Sequence, residues 1–263
     1  MSKRSNPLII CLCMLWPALL FTACNGMFEG VYDEPKEESA VTASGQLYID
    51  ASDWTKWHYI DLKEVAEGAA SDPDYNPSGA WVTLDIPLEK TADTAVPEQP
   101  GIYTYWYDVF GEGISKYEFR ESYATEAQPE PKNWSIAVHR NNVRTNGGSA
   151  AATEFTSIDR LPSDPAYYES LDFKADQWNE RDVWTIQEKM LLGLIGNQGI
   201  AVNEVLSGWL TINIPPMPPA FTHNPTVYVV KLADGSMGAL QLQNYMNSTG
   251  KKCCLTINYK YPL

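Results

Sequence analysis

The chain has 263 residues, enough for one large domain or two small ones, and a formal charge of −14. That charge excludes nucleic-acid binding, which needs a basic face to neutralise phosphates, and equally excludes docking on anionic lipid through a basic patch. Glycine (17), proline (18), tyrosine (15) and tryptophan (9) are abundant, a mix that favours strands and turns over helices.

Lys3 and Arg4 precede an apolar run from Leu8 to Phe21, and Thr22-Ala23-Cys24 follows. A basic start, a short apolar core and small residues at the cut make a secretory signal over residues 1–23. The run is too short for a membrane span and is broken by Pro17. FTAC before Asn25 resembles a bacterial lipobox, in which Cys24 takes up lipid and becomes the mature N-terminus. Such an anchor tethers a protein to a membrane without spanning it. The signal carries two bases and no acid, so the mature charge is −16. Residues 24–45 are polar, acidic and rich in small residues, the composition of a flexible tether. Glu29, Asp33 and Glu34 close behind the cysteine resemble a surface-export tag of anaerobic Gram-negative lipoproteins.

The folded domain is expected over 46–263, as a single antiparallel β-rich domain with long loops and one or two short helices. LYIDAS and WTKWHYIDL supply two short strands, with Trp57, Tyr59 and Asp61 opposing His58, Ile60 and Leu62. GAWVTLDIPL (79–88), GIYTYWYDVF (101–110) and SKYEFRESY (115–123) are further strands. Asn133–Gly148 predicts a strand with Trp134, Ile136 and Val138 on one face, ending in an Asn-Gly turn. For 177–199 two expectations stand. Val183, Ile186, Met190, Leu191 and Leu194 fit a short amphipathic helix, whereas a strand to Gln187 followed by a glycine-bearing loop fits as well. Ser207–Pro225 begins as an alternating strand that Pro215, Pro216, Pro218 and Pro219 stop, leaving Met217 on a stiffened loop with His223 six residues on. Residues 227–263 read as two or three antiparallel strands joined by Ala-Asp-Gly and Asn-Ser-Thr-Gly turns.

The run Trp134, Ile136, Ala137, His139, Arg140, Val143, Arg144, Asn146 and Gly147 resembles the strand motif of the HmuY-like haem-binding lipoproteins, as do LYIDASDWTKWHYIDL before it and SGWL, VYVVKLADGSMGALQLQNY and LTINYKYPL after it. Ser135 and Asn142 stand where that motif carries aspartates, so local hydrogen bonding is expected to differ; residues 89–130 are less familiar. The resemblance implies haem bound as cargo between two axial side chains on loops, captured from host haem proteins and passed to an outer-membrane receptor by a surface-exposed outer-membrane lipoprotein, anchored or released. Members use two histidines or two methionines. At the two matching positions this chain has no histidine and instead offers Met190 and Met217. Met190 also fits a core-filling role. His223 is the main rival ligand, because imidazole binds ferric haem better than a thioether does. His139 and His58 are expected to be structural, and Met237 and Met246 to pack.

Hydrolase, zincin and P-loop signatures are absent from the sequence, and Cys253 and Cys254 form no metal or redox motif. A non-enzymatic binding protein is therefore expected. The alternative class is an adhesin or glycan-binding lipoprotein on the same fold without haem.

Overall fold

The computed structural model describes residues 45–72, 74–96, 98–106, 120–188, 190, 194–213 and 218–263. The signal, Cys24 and the tether therefore lie outside the described residues, as does Met217. Among the described residues, seventeen strands run from β1 (Gln46–Asp50) to β17 (Lys252–Lys260), and α-helix is confined to α1 (Leu62–Ser71), α2 (Pro165–Glu169) and α3 (Glu204–Ser207).

Three of the four sheets among the described residues are layered around two cores. The outer six-stranded sheet has the order β1, β17, β16 (Met237–Met246), β15 (Tyr228–Lys231), β8 (Ser149–Ala152) and β9 (Lys174–Ala175). The middle sheet has the order β3 (Trp81–Asp85), β2 (Lys56–Ile60), β6 (Ile136–His139) and β7 (Asn142–Thr145). The third is β10 (Gln177–Asn179), β12 (Leu194–Val202), β4 (Gly101–Trp106) and β5 (Arg120–Tyr123), with β11 (Trp184–Ile186) also paired to β12. Ile60, Ile136 and Val138 of the middle sheet pack with Leu47, Ile49, Leu240, Leu255 and Ile257 of the outer sheet. Trp57, Tyr59 and Ala137 face the other way, onto Ile102, Ile200 and Val202. Alternation in β2 and β6 is thus real, but both faces are apolar because both are covered.

Several expectations are corrected. Strand β2 stops at Ile60, because the Asp61 side chain accepts from the Lys63 amide at 2.9 Å and starts α1, a helix the strand pattern concealed. Trp134 precedes β6 and packs edge-on against Tyr59 at 5.1 Å, so it leaves the face shared by Ile136 and Val138. The β6–β7 hairpin turns at Arg140-Asn141, with Arg140 left-handed (φ 54°), while Gly147 (φ 64°) makes a second bend beyond β7. His223 does not sit in a proline loop: β13 (Leu210–Asn213) pairs with β14 (Ala220–His223), and His223 lies opposite Leu210. The strand after the prolines escaped notice because its four residues are too few for a pattern.

For 177–199 the strand to Gln187 is found as β10 and β11, but the glycine-bearing loop is corrected: Gly196 and Gly199 lie within β12, where close packing against neighbouring side chains calls for glycine. Gly196 faces the Ile186 side chain, and a Cβ there would approach Ile186 Cβ to 2.7 Å. Gly199 is packed under the rings of Tyr103 and Trp178, whose Cζ2 would lie 2.8 Å from an added Cβ. Gly199→Ala is expected to destabilise the domain by about 2 kcal/mol, the usual scale of overpacking. A urea midpoint equal to that of the wild type would show that the two rings yield freely.

Candidate functional site

His139 is fully buried, with Nδ1 3.0 Å from the Lys56 carbonyl and Nε2 2.9 Å from the Trp184 carbonyl. It therefore stitches β2 to β11 through the middle of the molecule. A neutral imidazole has one N–H and serves one of these carbonyls at a time. Burial pushes its pKa down from the usual 6.5 to about 4, outweighing the two carbonyls that favour the charged ring. The motif's two departures from aspartate also find partners. Ser135 Oγ accepts from the Leu62 amide at 3.1 Å, and Asn142 Nδ2 donates to the Asp182 carbonyl at 2.8 Å. Arg144 lies over both Trp57 and Trp134, 5.5 Å from each ring centre, and its Nη2 donates to Glu130 at 2.7 Å. These residues hold the middle sheet to its neighbours and are structural.

The anchored strand β11 ends at Ile186, and Met190 stands four residues beyond it. Met190 is half-buried, and its amide donates to the Gln187 carbonyl at 2.9 Å. Strand β13 ends at Asn213, and Met217 likewise stands four residues beyond its strand. Strands β11 and β13 share a cleft of about 320 Å3, lined by Asn142, Asp182 and Trp184 together with Glu204, Leu210 and Ile212. Trp184 is braced there by its Nε1 donating to the Arg181 carbonyl at 3.0 Å. Trp209, fully buried just before β13, donates from Nε1 to the Asn141 carbonyl at 3.0 Å and fixes the other wall. Strands β11 and β13 thus border one cleft, although they lie far apart along the chain, while Ile186, Gln187 and Glu188, which lead on to Met190, line a second cleft. Trp184 and Ile212 as cleft walls were missed from sequence, since each also fits ordinary strand packing.

His223 is committed elsewhere. Its Nε2 lies 2.7 Å from the Leu242 carbonyl of β16, and its ring is tilted against Tyr245 at 6.2 Å. Ligation through Nε2 would require breaking that bond. Met237 is half-buried on β16, paired in register with Lys231, and Met246 receives Lys252 Nζ on its sulfur. Cys253 and Cys254 are free and buried, and burial raises both thiol pKa values. Among the described residues, no group of three or more His, Cys, Asp or Glu could hold a metal ion. A wider cleft of about 650 Å3 lies between β2, β3 and the segment after β11, and includes His58, Thr83 and Trp54.

With this geometry in place, the family model described as HmuY protein matches residues 53–259. A provisionally named HmuY-like haem-binding protein from Bacteroides vulgatus is 28% identical, with a TM-score of 0.53 over 84% of this chain and 93% of that one. A provisionally named lipoprotein from Bacteroides fragilis (24% identity, TM-score 0.56, 84% and 91% covered) shares the fold. So does the apo HmuY analogue of Tannerella forsythia (22%, 0.56, 83% and 95%). A comparison with curated proteins finds no match.

Proposed function

The chain belongs to the HmuY family, and from that premise we propose that it is a non-enzymatic haem-binding lipoprotein whose iron ligands are Met190 and Met217. The observation that supports the ligand assignment is that the strands preceding the two methionines, β11 and β13, border one cleft, at Trp184 and at Ile212. Haem iron accepts thioether sulfur as an axial donor, and a donor on each of two loops clamps the porphyrin from both faces. Met217 lies among four prolines, which restrict the backbone before haem arrives and lower the ordering cost of binding. His223, with Nε2 held by Leu242, is the poorer ligand.

Cys24 carries the lipid in this reading, and the acidic tether places the domain beyond the outer-membrane surface. Haem is then taken from host haem proteins and passed to an outer-membrane uptake receptor, with haem as cargo rather than a resident cofactor. The test is direct. Haemin titrated into the mature protein is expected to give a sharp Soret band that saturates at one equivalent. A spectrum that remains the sum of free haemin and protein would overturn the reading and favour a family member that has lost haem.

A further inference from the structure

We propose that haem is held at this site by its iron and its apolar ring edge alone, with no charge contact to its two carboxylates, so that the ligand class extends to uncharged iron porphyrins. The inference rests on the reading of Met190 and Met217 as axial ligands. It starts from the charges of the two clefts beside the segment that leads to Met190. The smaller cleft, bordered by β11 and β13, has Asp182 and Glu204 in its lining and no lysine or arginine. Asp182 accepts from Asn179 Nδ2 at 2.8 Å, a neutral amide that leaves its charge uncancelled. Neither acid forms an ion pair among the described residues. In the wider cleft Lys251 lies 2.8 Å from Asp50 and Lys56 lies 3.7 Å from Asp53, which leaves Glu188 as the excess charge of the described lining.

A haem carboxylate entering either cleft would therefore meet an uncancelled negative charge. Like charges held close disfavour ionisation, and a carboxylate that leaves water needs a partner to offset its lost hydration. The formal charge of the whole chain, −14, acts in the same direction at longer range. What the smaller cleft does offer is apolar surface. The Trp184 ring is braced by stacking on Trp54 at 5.9 Å, and Ile212 is half-buried beside the acids. A flat aromatic ring and an aliphatic side chain suit the methyl- and vinyl-bearing edge of a porphyrin. The thioether donors are themselves uncharged. The carboxylates stay in water, clear of Asp182 and Glu204.

The probes are haemin and its dimethyl ester, in which both carboxylates are neutral. Each is titrated into the mature protein at one fixed content of organic co-solvent, and the Soret band is followed to saturation. The ester is expected to saturate at one equivalent, with an affinity equal to or above that of haemin. Asp182→Asn combined with Glu204→Gln is expected to tighten haemin about two- to fivefold, the worth of exposed charge pairs, and to leave the ester unchanged. Both side chains are exposed, so the variant keeps the wild-type fold. Raising the salt from about 0.01 M to about 0.15 M shortens the screening length from about 30 to about 8 Å, and is expected to tighten haemin and not the ester. Lys189, next to Met190 in the chain and outside the described residues, supplies the control: Lys189→Gln is expected to leave haemin affinity unchanged. An ester that binds more than about tenfold more weakly than haemin, haemin binding that weakens with salt, or a loss of about tenfold in Lys189→Gln would each overturn the proposal, because each reveals a cation holding a carboxylate. Haemin that gives no saturable Soret change would overturn the axial-ligand reading and this inference with it. Haemin that saturates while the ester does not overturns this inference alone.

Discussion

Met190→Ala and Met217→Ala are each expected to lower haem affinity by more than about a hundredfold and to shift the Soret band. Groups that only hydrogen-bond to a metal's ligands cost about 10–100-fold when removed, and a group bonded to the iron itself is expected to exceed that. Neither substitution should unfold the domain. Met190 is only half-buried, and the described cores do not include it. The readout is haemin titration of each variant beside a thermal melt. If both variants keep the wild-type Soret position and affinity, the ligand assignment is wrong. His223→Ala is expected to leave the Soret position unchanged, because the bond from its Nε2 to the Leu242 carbonyl is structural.

Acidification is expected to remove about 3 kcal/mol of stability between pH 6.5 and pH 4, through His139 alone. The folded state holds this imidazole neutral down to about pH 4, whereas an unfolded histidine takes its proton near 6.5. In that window the unfolded chain binds more protons. The contribution is therefore complete above 6.5 and is lost as the pH falls toward 4. His58, pushed down by burial, acts in the same direction. Asp176 opposes them, since burial raises its pKa and its protonation favours the fold. Asp50, held down at about 2 by Lys251 and Ser52 against the opposing pull of burial, loses its contribution only below 3.8. Urea unfolding at pH 7 and pH 4.5 measures the difference, and His139→Gln should flatten it. Equal stability at both pH values would mean that the buried imidazole is not what holds β11.

Much of this architecture was legible in the residues, and the failures are instructive. Strands with clear turn punctuation were placed well: β15, β16 and β17 are bounded by Gly235 and Gly250, both left-handed as their turns require. Strands covered on both faces were legible, and Trp57 and Tyr59 do oppose Ile60; only Trp134, which precedes β6, enters the other core from Ile136 and Val138, because all three are apolar and only the layering separates them. Helix α1 was hidden behind the strand because its start depends on the single cap Asp61. For the site, only the family resemblance points to Met190 and Met217, and no local pattern distinguishes Met190 from a core residue. What the sequence could not supply is that β11 and β13 border one cleft, a long-range contact fixed by His139, Trp209 and the β12 pairing.

The thioether pair makes a prediction that a histidine pair does not. Sulfur is a soft donor and favours ferrous over ferric iron, so reduction should tighten the complex. The decisive measurement is haem affinity of the mature protein with and without dithionite, at one pH and ionic strength. Methionine ligation predicts clearly tighter binding in the reduced sample, with the gain lost in Met217→Ala. Equal affinity in the two redox states would contradict it.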